Sequence, residues 1–409
     1  MDLDEINLLD TEALISGAGD AWFTHLREHA PVYHHPEPDG PGFWVISKHS
    51  DIRAISRDAK VFSSDLENGG NVGLTAQERE PLLALDKHLV TMDPPEHTVF
   101  RSLIEQAFRR NAVNTMQEPV QEVASLVFDR FLQSDGGEMQ LDVVEGLAGV
   151  FTMGVLAHVL GVPREDFNQL YHDANVATGF ADPELAPDLA SANKARKNLQ
   201  EYGLALARER RASPRNDLMT GLAQAEFEGK QISDERVMAI MLLLLTAGHE
   251  TTRTAILHGL DRFVEYPEQY AAIKEDPSLI PDAVEEILRW SSPLAYFRRA
   301  AMQDVVIRGQ RIPAGSSVTI WFLSGNRDEE VFRDPFQFDV MRNPNPHIAF
   351  GGGGPHFCLG HGLGRLEITA FLKELTKRVR TIKRAGPTIP LSSNLIRGIK
   401  HLELSLELE

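Results

Sequence analysis

Apolar residues recurring every three or four positions predict helices over 115–132, 191–211, 233–266, 281–290 and 359–379. Strict alternation is rarer. It predicts strands at 42–47 (GFWVIS), at 304–307 with 317–322 about an Ile-Pro-Ala-Gly turn, and in the C-terminal HLELSLELE. Strand is therefore expected only at the two ends and in one late segment. The fold class is mainly α: one large helical domain over 1–409, with small β-rich portions near 31–48, 300–325 and 384–409.

The segment from Ser233 is the most informative of these. Ser233 suits an N-cap, Asp234 and Glu235 suit the positive end of the helix dipole, and Pro267 ends the run, giving a helix of about thirty residues. It is apolar nearly all round from Val237 to Leu245, so it must cross the interior. At its centre, however, stands Thr246-Ala247-Gly248-His249-Glu250-Thr251-Thr252-Arg253. A mid-helix glycine costs about 1 kcal/mol relative to alanine, and a buried acid needs partners. Local rules broken in this way tend to mark functional sites.

Composition narrows the chemistry. The chain has 59 acidic and 41 basic residues, a net charge of −18, which disfavours nucleic acid and anionic membrane surfaces as nonspecific partners. A single cysteine, Cys358, excludes an intramolecular disulfide, a Cys₄ zinc site and an ordinary Cys-ligated iron–sulfur cluster. The acidic N-terminus is unlike a secretory signal, and the apolar run 237–245 is far short of a membrane span, so a reducing cytoplasm is the expected location.

Cys358 follows Phe350-Gly351-Gly352-Gly353-Gly354-Pro355-His356-Phe357 and precedes Leu359-Gly360 and a predicted helix. Four successive glycines imply close backbone approach or unusual dihedrals. A helix N-terminus would lower the thiol pKa and suit a nucleophile or a metal ligand. On these residues alone four readings stay open: a nucleophile helped by His356 or His361, a zinc ligand, an inert buried thiol, and an axial thiolate on haem iron.

The separate motifs, taken together and in order, resemble the cytochrome P450 haem-thiolate monooxygenases over nearly the whole chain, in their soluble ferredoxin-dependent bacterial form. The resemblance implies a cytochrome P450-like fold and haem b. Phe350, His356, Cys358 and Gly360 match the haem-binding loop, with Cys358 as iron ligand. The interval from Phe350 to Cys358 is one residue longer than the family's commonest form, a variant associated with some bacterial members acting on sterols and branched lipids. Ala247, Gly248, Glu250 and Thr251 match the oxygen-activation motif, with Glu250 and Thr251 as the proton-delivering pair and Ala247 and Gly248 leaving room for oxygen; His249 stands at a position the family leaves variable. Glu286 and Arg289, with Arg342, resemble a buried scaffold. His97, Arg101, Arg299 and His356 resemble the groups that hold the haem propionates, Arg299 in preference to Arg298.

The resemblance also implies a hydrophobic small-molecule substrate, a terpenoid, sterol or branched lipid ahead of a small aromatic compound, hydroxylated or dealkylated. Pocket walls are expected at 65–91, 176–180, 294–297 and 394–396 and along the distal half of the central helix. No dinucleotide-binding glycine motif is present, so electrons are expected from a ferredoxin and its reductase. Lys377, Arg378, Arg380, Lys383 and Arg384 are a candidate docking patch or, equally, complements to a helix C-terminus. A monomer is expected. Competing functions are a haem-thiolate peroxygenase, a non-catalytic haem- or ligand-binding protein, and a haem-free enzyme with a cysteine nucleophile.

Overall fold

Eight helices position the centre of the molecule: α1 (Glu96–Phe108), α2 (Gln117–Phe131), α3 (Gly149–Leu160), α4 (Phe167–Thr178), α5 (Leu189–Ala212), α6 (Asp234–Glu265), α7 (Ile280–Ser291) and α8 (His361–Arg378). The structure, a computed structural model, describes every residue except 72, 76–77, 79–86, 133–136 and 228. Helix α6 is the predicted central helix. Its 32 residues are capped by the Ser233 side chain, which accepts from the Arg236 N–H, and Pro267 opens the next helix.

α6 packs against α3, α4, α5, α7 and α8, so water is excluded from most of its circumference. Val237, Ile240, Met241, Leu245, Ile256, Leu257, Leu260 and Phe263 are buried in these contacts. Each such side chain contributes about 1.5–3 kcal/mol relative to exposure. α8 closes the opposite side through Leu363, Ile368, Phe371, Leu372 and Leu375.

The strands form two main sheets. One has the order β1 (Val32–His35), β2 (Phe43–Ile46), β10 (Ser317–Trp321), β7 (Tyr296–Ala301) and β3 (Phe62–Ser63), with β2 and β10 parallel and Val318 opposite Trp44. The other joins β11 (Val379–Pro390), β12 (Ile399–Leu408) and β4 (Glu138–Asp142), with Leu404 opposite Leu141.

Three sequence expectations change. Strand is not confined to the ends and one late segment, because β4 and a short hairpin, β5 (Glu226–Phe227) with β6 (Lys230–Gln231), lie mid-chain. β4 owes its state to its partner β12 more than to its own alternation. The strand at 304–307 does not pair with 317–322: β8 (Val305–Ile307) turns back on β9 (Gln310–Ile312). Arg308 and Gly309, at φ 47° and 80°, supply the two left-handed residues of a tight hairpin turn, and β10 pairs with β2 and β7 instead. The C-terminal sheet begins at Val379, ahead of the predicted 384.

Candidate active site

The glycine run folds the cysteine loop tightly against the helix His49–Arg57. Gly351, Gly353 and Gly354 have φ of 97°, 99° and 76°, and a Cβ on Gly354 would lie 2.3 Å from the Ser56 carbonyl oxygen. Only glycine meets both demands. The loop closes on itself when the Cys358 N–H donates to the Phe350 carbonyl at 2.9 Å, and Arg101 Nη1 donates to the carbonyls of Pro355 and Phe357 at 3.1 and 2.8 Å. Arg365, from α8, lies over the Phe350 ring at 4.5 Å.

Burial pushes the Cys358 thiol pKa up, outweighing the Gly360 N–H, Arg101 and Arg365, which favour the thiolate. The helix N-terminus expected to lower it is therefore not sufficient. Burial therefore works against the thiolate that a nucleophile needs. Beside it, Gly360 has nothing within 4 Å of where a Cβ would stand.

Above the loop, donors converge without enough acceptors. The rings of His97 and His356 lie 4.3 Å apart, and His97 Nδ1 and His356 Nε2 are buried with no hydrogen-bond partner. Arg299 is 5% exposed, and its Nη1 donates to the neighbouring Arg298 carbonyl at 2.8 Å. Desolvation, reinforced by neighbouring cations, lowers His97 to about 4 and His356 to about 2, and desolvation lowers Arg299 to about 10. Asp93 is the carboxylate near His97 and Arg299, and it already accepts from Ser63 Oγ and Ser64 N–H. These orphaned donors fit a buried ligand that carries carboxylates. Arg298 is engaged elsewhere, on the carbonyls of Gly73 and Leu74 and on Ser317.

The central motif is left partly uncovered. Ala247 is exposed, and Gly248 and Thr251 are half-buried, although they lie midway along a helix buried on either side. Thr251 Oγ1 donates to the Ala247 carbonyl at 2.7 Å. Glu250 points away from solvent, is 2% exposed and is ion-paired with Arg253; burial raises its pKa, and Arg253 opposes the rise. Gly364 of α8 ties the two walls together. A Cβ there would sit 3.7 Å from Thr252 Oγ1 and 3.9 Å from the Phe350 ring.

Behind the loop lies the scaffold. The fully buried Glu286 carboxylate accepts from Arg289 Nε and Nη2, both at 2.7 Å, from Arg342 Nε at 3.1 Å, from Asp339 N–H at 2.9 Å and from Asn345 Nδ2 at 3.1 Å. Residues 339–345 are thereby fixed just before the cysteine loop. Sequence reasoning missed a second tether, Glu285 to Arg365 at 2.6 Å. It also missed Glu367, whose buried side chain contacts Thr252 and is held well above the usual carboxylate range by desolvation.

Outside the loop, a recess of about 550 Å³ is bordered by Arg101, Arg109, Arg110, Arg365 and Lys373, with one acid, Glu105, among them and Phe108, Val113 and Leu359 among its apolar walls. The basic stretch at 377–384 is largely neutralised: Arg378 pairs with Glu374 and Asp129, Arg380 with Glu407, and Arg384 with Asp261. Of the expected pocket walls, residues 72, 76–77 and 79–86 lie outside the described residues. Ala295 is packed in the core, whereas Leu294 and Phe297 are half-buried, and Leu294 bridges to Ile396.

A glycine-shaped cysteine loop, a cradle of unpartnered nitrogens and a central helix opened by small residues point to a haem-enzyme class, and sequence and structure comparisons agree. The cytochrome P450 family profile matches residues 75–395, and the chain belongs to that family. It is 36% identical over 409 residues to the methyl-branched lipid omega-hydroxylase of Mycobacterium tuberculosis, covering 98% of this chain and 94% of that one. It is 34% identical over 390 residues to the steroid C26-monooxygenase of Rhodococcus jostii, covering 93% and 80% respectively. Mycobacterium marinum cytochrome P450 CYP268A2 in complex with pseudoionone superposes with a TM-score of 0.88 at 34% identity, over 95% of each chain. The protein is thus a monooxygenase of a haem-dependent class that acts on hydrophobic molecules with the help of redox partners. Among the described residues no helix is long and apolar enough to cross a membrane.

Proposed function

We propose that the protein binds haem b through the Cys358 thiolate and hydroxylates the terminus of a branched lipid or sterol side chain, using electrons from a ferredoxin. The observation that carries the haem reading is the cradle: His97 Nδ1 and His356 Nε2 are buried without a hydrogen-bond partner, and the buried Arg299 guanidinium belongs to the same set of haem-facing groups. The haem propionates would supply the missing partners, with Arg101 reaching from α1. When bound, haem supplies the redox chemistry that activates dioxygen. The chain's own residues do the rest. Arg101 and Phe350 hold the cysteine loop in shape. Ala247 and Gly248 leave space at the centre of α6, and Thr251, beside the buried Glu250, presents a hydroxyl to that space for proton delivery.

The substrate class rests on the relatives' activities, on the lengthened cysteine loop, and on the apolar Leu294, Phe297 and Ile396 of the expected walls. Titration with a methyl-branched fatty acid, a sterol and a small aromatic should displace iron-bound water at lowest concentration for one of the first two. Tightest binding of the aromatic would contradict the assignment. The basic recess supports docking of an acidic ferredoxin beside Cys358. Reversing Arg109, Arg110 and Lys373 to glutamate should raise the KM for ferredoxin at least tenfold while leaving substrate affinity unchanged. Turnover with unchanged KM would remove that surface from consideration.

A further inference from the structure

His249 occupies the centre of α6 and is buried with no solvent exposure. Nδ1 lies 2.9 Å from Thr152 Oγ1 of α3, and Nε2 lies 3.3 Å from Asn175 Oδ1 of α4. The same Asn175 oxygen accepts from Arg253 Nη1 at 2.6 Å, and Arg253 Nη2 donates to Glu250. Tyr171 of α4 stands edge-on to His249, with ring centroids 5.4 Å apart, and its hydroxyl donates to Glu145 at 3.1 Å. Glu145 is exposed, in a π-helical turn, Val144–Ala148. Space for the Tyr171 hydroxyl exists because residue 149 is glycine: a Cβ there would be 2.3 Å from it.

We propose that His249 and Asn175 are positioning residues for Glu250, acting through Arg253: together they fix the guanidinium that holds the Glu250 carboxylate. The proposal rests on the reading of Glu250 as the acid beside Thr251. Asn175 is the hub, because one amide oxygen orients both the imidazole and the guanidinium from a neighbouring helix. A guanidinium free to rotate would leave a buried carboxylate without its counter-charge, and protonation would be the cheapest remedy. His249 is itself held far below its ordinary pKa by desolvation and then by Arg253, so it is a neutral hydrogen-bonding group. The charged or titratable groups around Glu250 are Arg253 and His249 on its own helix and Tyr171 on α4, with Glu145 behind Tyr171. From α4, Thr178 presents a hydroxyl to it. From the β11–β12 connection the approach is by Gly398, which brings no side chain.

The test is an infrared pH titration of the resting, substrate-free holoenzyme, in which the Glu250 carboxyl band is assigned by its loss in Glu250→Gln. His249→Leu and Asn175→Leu should each raise its midpoint by about one pH unit or more, a tenfold change in the protonation equilibrium. Arg253→Met should raise it further, and His249→Gln, which keeps a donor for Asn175, should restore it. Lower thermal stability with an unmoved midpoint in both leucine variants would overturn the proposal, since a purely structural staple predicts that result. Should those variants not fold, Tyr171→Phe loosens Arg253 from the outer side without emptying the core. Its midpoint should rise in the same direction, and no shift overturns the proposal equally. In turnover, the pH at which peroxide release overtakes product formation should move with the infrared midpoint. An infrared shift without any change in peroxide release would leave the positioning intact and refute the proton role of Glu250 on its own.

Discussion

Replacing Glu286 with alanine would expose how far the cysteine loop depends on its scaffold. The carboxylate accepts five hydrogen bonds, two of them in a bidentate pair with Arg289, and neither residue has any solvent exposure. Without it, Arg289 keeps the carbonyls of Asn326, Pro335 and Gln337 but loses its counter-charge. Arg342, Asp339 N–H and Asn345 lose a partner at the same moment. Breaking a buried pair by removing one member costs about 3–5 kcal/mol. That is a large share of the roughly 5–15 kcal/mol by which folded proteins are stable. Urea unfolding followed by circular dichroism should show a midpoint far below wild type with an unchanged slope, and haem content should fall because residues 339–345 lead into the loop. Glu286→Gln keeps an acceptor and should fall between the two. An unchanged midpoint with full haem content in Glu286→Ala would refute the reasoning.

Other expected outcomes follow from particular groups. Burial would raise Glu285, but hydrogen bonds from Arg365 and His347 outweigh it and bring it down to about 2. This tether therefore stabilises fully above the unfolded pKa near 4.3 and is lost as the pH falls toward about 2; stability of Glu285→Gln should show a weaker acid dependence over that window. His97 and His356 are held neutral, at about 4 and about 2, so the haem-free protein should lose stability as the pH falls from about 6.5 toward 4, when the unfolded chain takes up protons that these sites refuse. Carboxylates in the cradle would raise both values, and calorimetry near pH 5.5 should record proton uptake with haem b but not with its dimethyl ester. Gly354→Ala forces a Cβ to 2.3 Å from the Ser56 carbonyl at positive φ and should cost at least about 1 kcal/mol, whereas Gly360→Ala, with open space and φ of −79°, should leave the haem-free protein unchanged. A perturbed holoenzyme spectrum in Gly360→Ala would then report contact with the cofactor.

Much of the fold was legible because α6 carries explicit start and stop signals in Ser233, Asp234, Glu235 and Pro267, and its observed ends fall within a residue of the predicted ones. β4 was not legible, because MQLD becomes a strand only through pairing with β12, a contact 260 residues away in sequence. The Arg308-Gly309 turn was misplaced because the Pro-Ala-Gly sequence a few residues later was the louder turn signal. In the site, Cys358, His97, Arg299 and His356 could be singled out individually, whereas their shortage of acceptors could not, since it depends on which carboxylates fold nearby. Arg253 stood in plain view three residues after Glu250, a spacing that on an exposed helix is worth only a few tenths of a kcal/mol. Burial gives that pair its importance. The thiol pKa shows the opposite error: proximity to a helix start suggested a lowered value, and desolvation reversed it.

The central claim is that Cys358 ligates haem iron as a thiolate, and the absorption spectrum of the reduced protein under carbon monoxide tests it most directly. A strongly red-shifted Soret band that disappears in Cys358→Ala is the predicted result; the same band persisting in that variant, or no haem signal in the wild type, would contradict it.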